Sequence, residues 1–330
     1  MRLPKSIKIF LNYFLGPLLF VVLSFSIFQQ IRHQPHLAQS WQEIKNSFLS
    51  FKIFYLAFAV LLVFANWGLE ALKWKLLVSS VRPITFFTAY KAVLSGVSFS
   101  IALPNRVGEY IGRMMYQPEG GRLKTISLSI AGSVAQLLAT LFFGIFGLIF
   151  LKKELLMAYP QSVIWFQFVL YGLVFILGAL ALFYFNVSAV VSFFSRWLRS
   201  HRYLYLVESL QKFNVAFLFK IFLLSSIRYG VFLLQYLAMF YLFQVDVSAT
   251  IIIIVMSVVF LALAVIPSIA LLEVGFRGEV SLRLMALFST NSLGIGLTSV
   301  TIWVINLVLP ALIGTLLLLN IKLLSKNGKN

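Results

Sequence analysis

Apolar runs long enough to cross a bilayer recur along the chain, and no other feature of the sequence limits its fold more. A helix needs roughly 20 residues to cross a hydrocarbon layer of about 30 Å. With 61% hydrophobic and 11% charged residues, a water-soluble fold would lack the polar surface to cover itself. The candidate spans are 8–28, 53–72, 86–103, 125–151, 162–186, 215–243, 249–270 and 292–324.

The sequence therefore predicts an all-α, polytopic membrane helix bundle of about seven or eight spans. We expect a single integral membrane domain over 1–330, with a first half over 1–186 and a second half over 187–330. The last run contains Pro310 and is long for one span, so it should tilt or kink.

The charge is strongly basic, with 27 Lys and Arg residues against nine Asp and Glu residues. The basic residues stand at the ends of apolar runs, as at Lys73/Lys75 and Lys152/Lys153, which favours anionic lipid headgroups over nucleic acid as partners. Basic residues before the first span place the N-terminus on the cytoplasmic side. The chain has no cysteine and its three histidines lack metal-ligand spacing, so we predict no metal site and no cofactor.

Two charged segments share one pattern. "GEYIGRMM" at 108–115 and "GEVSLRLM" at 278–285 both have the form G-E-x-x-x-R-x-M, and each follows an apolar run that ends in Leu-Pro or Ile-Pro. Transporters pair interrupted helices from repeated halves in this way. We therefore predict interrupted or re-entrant segments near 86–122 and 267–290, related by an internal inverted repeat, although a match this short can also arise by chance.

The spacing within these segments pairs opposite charges. Glu and Arg stand four residues apart three times, and the polar residues at membrane depth should face a protein interior or a wet cavity. Arginine offers phosphate two parallel donors. The predicted substrate-binding residues are Arg106, Glu109, Arg113, Glu273, Arg277, Glu279, Arg283 and Arg228.

Helix breaks should accompany this site. Pro104 and Pro267 prevent the preceding helix from continuing, and Gly108, Gly275 and Gly278 would allow unusual backbone angles. The alternative interpretation is a set of interfacial ion pairs at helix ends with no binding function.

Two further charges lie within apolar runs. Glu70 in "NWGLEALKWKLL" is interpreted as an interfacial residue paired with Lys73 or Lys75. Arg228 is either a site residue or an interhelical polar contact.

Three stretches resemble a known family. "NWGLEALKWKLLV", "LPNRVGEYIGRMM" and "IPSIALLEVGFRGEVSL" are similar to the lysylphosphatidylglycerol synthase transmembrane region, a flippase-like family, with similarity over roughly residues 50–320. Its first signature matches Pro104, Arg106, Gly108, Glu109 and Arg113, and its second matches Pro267, Glu273, Gly275, Arg277 and Glu279 in part. Here "SIALLE" replaces a Gly-rich turn, and Gly278 separates Arg277 from Glu279.

The resemblance implies a region that moves lipids or lipid-linked intermediates between leaflets, in a bacterial inner membrane. The soluble aminoacyltransferase domain that some members carry is not among these residues, so lysyl-lipid synthesis is not expected. The leading hypothesis is a flippase for an anionic phospholipid or a polyprenyl-phosphate-linked intermediate, and not an enzyme. The alternatives are a membrane-embedded glycosyl or headgroup transferase and a non-transporting scaffold for a separately encoded lipid-modifying enzyme.

Overall fold

The computed structural model describes residues 25, 28–29, 31–33, 37–102, 107–118, 121–197, 208–265 and 270–327. Their regular structure is helical, with no strand in these ranges. The helices are α1 Leu37–Phe48, α2 Ile53–Val78, α3 Phe86–Ala102, α4 Val107–Met114, α5 Arg122–Phe150, α6 Lys152–Ala158, α7 Val163–Phe185, α8 Val187–Trp197, α9 Val215–Leu242, α10 Ala249–Val265, α11 Ala270–Met285, α12 Ser292–Trp303 and α13 Leu309–Asn327. The predicted all-α class is confirmed.

Five of the described helical segments are long and apolar enough to cross a membrane: Ile53–Val78, Arg122–Phe150, Pro160–Phe185, Val215–Leu242 and Ser292–Leu318. The predicted spans at 86–103 and 249–270 correspond to α3 and α10, of which 17 residues each are described. The first predicted span, 8–28, and the basic residues before it fall almost wholly outside the described residues, so the orientation of the N-terminus stays a prediction. The count of spans therefore stays a prediction.

Small residues let the long helices approach closely. A Cβ atom added to Gly144 of α5 would lie 2.7 Å from Cβ of Leu261 on α10. One added to Gly314 of α13 would lie 2.1 Å from the carbonyl oxygen of Leu94 on α3. Close backbone approach at small residues is the usual means by which helices associate in lipid, and it joins α5 to α10 and α13 to α3.

The two predicted motif segments are helical where the structure describes them, as α4 and α11. α3 ends at Ala102 and α4 begins at Val107, while α10 ends at Val265 and α11 begins at Ala270. Pro104 and Pro267 lie between these bounds, outside the described residues. The helix breaks expected at these prolines therefore stay predictions.

α4 packs back against α3. A Cβ atom on Gly108 would lie 2.1 Å from the carbonyl carbon of Phe99, and one on Gly112 would lie 2.3 Å from the backbone nitrogen of Gly96. Only a hydrogen atom fits at these crossings. The backbones of α3 and α4 are therefore in direct contact over two turns.

The same order of elements appears twice. A long helix, a second helix and a motif helix follow each other in α2–α4 and again in α9–α11, and each motif helix is followed by an apolar segment long enough to cross a membrane, Arg122–Phe150 and Ser292–Leu318. α2 packs on α9, α10 packs on α5, and α3 packs on α13, the helix that continues α12. This correspondence agrees with an internal repeat, whose inverted orientation stays a prediction.

The last long run contains the predicted irregularity. A π-helical turn, Val304–Val308, separates α12 from α13, and Pro310 is the second residue of α13. Proline has no N–H to donate to the carbonyl four residues earlier and its ring crowds that carbonyl, so the preceding turn widens.

Candidate functional site

Glu70 of α2 lies at the centre of a buried charge cluster. Its Oε2 atom is 2.7 Å from Nζ of Lys73 and 3.2 Å from Nη1 of Arg228 on α9, and its Oε1 atom is 2.9 Å from Nη2 of Arg113 on α4. The residue is only 5% exposed. One carboxylate therefore joins cations from three helices, which is the arrangement that buried charge requires.

Arg113 connects the first motif to this cluster. Its Nη2 atom also lies 3.3 Å from Oε2 of Glu109, four residues earlier on α4. The predicted i,i+4 pair is confirmed, and Arg113 itself is 2% exposed. Arg113 thus lies behind the two carboxylates and fixes α4 to α2.

Arg228 is held on several sides. Nε donates to Oδ1 of Asn66 at 2.8 Å, and Nη1 donates to Oε1 of Gln136 at 3.4 Å. Its Cζ atom lies 5.3 Å from the ring centroid of Trp67 and 5.4 Å from that of Phe232. These cation–π contacts and hydrogen bonds restrict the guanidinium group to one orientation.

The segment just before the second G-E-x-x-x-R-x-M copy supplies a further pair. Nη2 of Arg277 lies 2.6 Å from Oε1 of Glu273, and Nη1 donates to the hydroxyl of Tyr236 at 3.0 Å. The pair joins α11 to α9, because Tyr236 belongs to α9 and is fully buried. The predicted i,i+4 pairing is confirmed here as well.

The third predicted pair, Glu279–Arg283, forms with Nε 2.5 Å from Oε1, but it lies elsewhere. The Arg283 side chain is 69% exposed, and neither residue lines the cavity described next.

Both motif helices border one cavity of about 560 Å³. Its charged lining residues are Glu70, Lys73, Glu109, Arg228, Glu273 and Arg277. A smaller hollow of about 50 Å³ adjoins it, since Glu109, Arg228, Phe232, Glu273 and Arg277 line both. The larger volume is in the range of ligand pockets.

The charge balance of the cluster is slightly positive. Among the described residues, three carboxylates and three cations line the cavity, and Arg113 behind them leaves one net positive charge. Because each carboxylate contacts a cation, the guanidinium groups are oriented before a ligand arrives. The arrangement suits an anionic group that accepts hydrogen bonds from arginine.

Four of the described lining residues are exposed and define the mouth of the cavity, which is mainly apolar: Ser133, Leu137, Ala264 and Val265. Leu137 of α5 and Val265 at the end of α10 line it and are 37% and 73% exposed. α5 and α10 are in close contact at Gly144 and Leu261, one to two turns away. The cavity thus opens beside the outer, apolar faces of two helices.

Several predicted residues require separate comment. Arg106, Pro104 and Pro267 lie outside the described residues. The expectation that the glycines adopt unusual backbone angles is wrong for Gly108, Gly275 and Gly278, which lie inside helices, and no described glycine has positive φ. Gly108 is instead required by the close approach of α3 and α4.

Sequence reasoning underestimated Glu70. It pairs with Lys73 as predicted, but it is buried at the centre of the cluster rather than interfacial. A signal was available, because Asn66, Glu70 and Lys73 form a polar stripe at helical spacing. Ser225, Arg228 and Gln235 form the facing stripe on α9.

No curated protein matches the chain. The family model of the lysylphosphatidylglycerol synthase TM region matches residues 13–314, nearly the whole chain. Together with the apolar helices, this match makes the chain an integral membrane protein of a lipid-related family. The chain belongs to the lysylphosphatidylglycerol synthase transmembrane region family.

Proposed function

We propose that the chain moves a phosphate-bearing lipid across the membrane, either an anionic phospholipid or a polyprenyl-phosphate-linked intermediate. The headgroup enters the 560 Å³ cavity and contacts Arg228 and Arg277, while the hydrocarbon chains stay in the bilayer. The observation that carries the proposal is that charged residues of both motif helices line this one cavity.

The electrostatics of the cluster support an anionic ligand. The net positive charge attracts phosphate, and Glu70 and Glu273 hold the two arginines in place. Preorganised arginines do not need to be ordered when the ligand binds, which increases affinity. Charged lipid headgroups cross hydrocarbon at high cost, and a polar cavity lowers that cost.

The mainly apolar mouth supports an amphiphilic ligand rather than a water-soluble one. Leu137 and Val265 are exposed apolar residues at the rim. Hydrocarbon chains can lie against them while the headgroup occupies the charged interior, since each part then contacts an environment of its own polarity.

The test is reconstitution of the purified chain in vesicles with a phospholipid labelled in one leaflet. We expect the wild-type chain to move the label and Arg228→Gln and Arg277→Gln to reduce the rate at least roughly tenfold, equivalent to about 1.4 kcal/mol. Arg82→Gln is the matched control, because Arg82 is exposed in the turn after α2 and does not line the cavity.

Two outcomes would overturn the proposal. One is no movement of any phosphate-bearing lipid above protein-free vesicles. The other is a new lipid product formed without movement between leaflets, which would indicate a headgroup transferase. Movement that both cavity variants retain in full would refute the assignment of the site.

A further inference from the structure

A buried chain of three amide side chains connects α2, α9 and the π-helical turn. Asn66 and Gln235 are fully buried, and Asn306 is 7% exposed. Nδ2 of Asn66 donates to Oδ1 of Asn306 at 3.0 Å, and Nδ2 of Asn306 donates to Oε1 of Gln235 at 3.1 Å. Gln235 and Asn306 lie outside the motifs found in the sequence, and Asn66 begins the stretch "NWGLEALKWKLLV".

The chain has a fixed direction. Nε2 of Gln235 donates to the backbone carbonyl of Ala59 at 3.0 Å. A carbonyl oxygen can only accept, so the Gln235 amide must turn its own oxygen towards Asn306. The same logic then fixes Asn306 and Asn66 in turn, because each amide presents nitrogen on one side and oxygen on the other.

A second backbone acceptor fixes the middle member independently. Nδ2 of Asn306 also donates to the carbonyl oxygen of Ile302, four residues earlier, at 3.2 Å. Asn306 lies in the widened turn Val304–Val308, where the backbone departs from regular α-helix geometry. π-helical turns of this kind frequently occur at functional sites.

The chain ends at the cavity arginine. Oδ1 of Asn66 accepts from Nε of Arg228 at 2.8 Å. The orientation of Asn66 that makes its oxygen available is the one that Asn306 imposes. Asn306 itself touches the smaller hollow beside the cavity but makes no described contact with the Arg228 guanidinium group.

We propose that Asn306 in the π-helical turn is a positioning residue, which acts through Asn66 to hold the Arg228 guanidinium group in its headgroup-binding orientation. This rests on the proposed function for the role of Arg228 in lipid binding. The amide chain specifies which nitrogen of Arg228 is occupied by protein, and thus which face of the guanidinium group is turned to the ligand.

Asn306→Asp is the sharpest variant, because it keeps the size of the side chain and replaces the donor by an oxygen. That oxygen would face the acceptors of Gln235 and Ile302, and the repulsion should displace the side chain and disturb its hydrogen bond from Asn66. Thr298→Val is the matched control, since it removes a buried hydroxyl hydrogen bond to Gly294 from the preceding helix α12 without touching the amide chain.

The first measurement needs no lipid. Reaction of arginines with phenylglyoxal is followed by peptide mass spectrometry on the purified chain, and Arg277 serves as the internal reference. We expect Asn306→Asp to change the rate at Arg228 relative to Arg277 at least about threefold, and Thr298→Val to leave the ratio unchanged. An unchanged ratio in the folded Asn306→Asp chain would overturn the proposal, whatever the transport assay gives.

The second measurement is a double-mutant cycle in the vesicle assay. We expect Asn306→Asp to raise the lipid concentration for half-maximal transport about tenfold in the wild-type background and less than about twofold in Arg228→Lys, because lysine has no Nε group for Asn66 to hold. Equal effects in both backgrounds would show a merely structural role. If the wild-type chain moves no lipid, the proposed function fails, while the phenylglyoxal result still decides the positioning role.

Discussion

Glu70 and Arg113 stand 43 positions apart in the sequence, and their side chains meet at 2.9 Å in a buried ion pair. The pair fixes the short motif helix α4 to the long helix α2. Lys73 and Arg228 contact the same carboxylate, so the position of the first motif depends on a residue outside it.

Glu70→Gln should destabilise the chain strongly. The substitution keeps the shape of the side chain but leaves Lys73, Arg113 and Arg228 together with too little negative charge around them. Removing one partner of a buried ion pair costs about 3–5 kcal/mol. The measurement is the free energy of unfolding in mixed detergent.

Glu43→Gln is the control for this prediction. Glu43 is exposed on α1 and accepts a hydrogen bond from Gln39 alone among the described side chains. This substitution should change the free energy of unfolding by less than about 0.5 kcal/mol. If Glu70→Gln lowered the free energy of unfolding as little as Glu43→Gln does, the Glu70 carboxylate would not hold the cluster together.

Gly112→Ala should separate α4 from α3. The added methyl carbon would lie 2.3 Å from the backbone nitrogen of Gly96, and backbone atoms cannot move aside as a side chain can. Overpacking of this kind costs about 1–3 kcal/mol. We expect a lower unfolding free energy together with weaker lipid transport, since α4 carries Glu109.

Gly172→Ala on α7 is the matched substitution. Nothing lies within 4 Å of its added carbon, so only the higher helix propensity of alanine should act. We expect the free energy of unfolding to rise by up to about 1 kcal/mol. If both alanine variants behaved alike, the close contact of α3 and α4 would be refuted.

Tyr236→Phe should weaken the Glu273–Arg277 pair. The substitution removes the hydroxyl that accepts from Nη1 of Arg277 at 3.0 Å and leaves that donor buried. A buried donor without its acceptor costs about 1–3 kcal/mol. We expect a higher half-saturating lipid concentration and a modest loss of stability.

Tyr171→Phe tests whether loss of a phenol alone matters. Tyr171 is 69% exposed on α7 and lies away from the cavity. Transport should be unaffected by this variant. If Tyr236→Phe left the half-saturating lipid concentration at the wild-type value, Arg277 would not depend on α9 for its position.

Leu137→Trp should obstruct the mouth of the cavity. Leu137 is partly exposed at the rim, so a larger apolar side chain can be accommodated without strain in the core. We expect lipid transport to fall about fivefold, equivalent to about 1 kcal/mol, with unfolding unchanged. Val169→Trp on α7, where the native residue is 49% exposed, is the control that should transport normally.

The sequence determined those features that depend on residues near each other in the chain. Apolar runs specify membrane helices through their length, and prolines mark where helices end. The i,i+4 pairs Glu109–Arg113 and Glu273–Arg277 could be predicted because one helical turn brings such residues together whatever surrounds them.

The tertiary structure decided which charges share a site. Glu279–Arg283 has the same spacing as the other pairs, yet Arg283 is exposed, because helix periodicity does not say which face meets a neighbour. Glu70 and Arg228 meet only because α2 packs on α9, and Asn306 reaches Asn66 only through the π-helical turn. Contacts between distant segments depend on how whole helices pack, and that information is not contained in any single stretch of sequence.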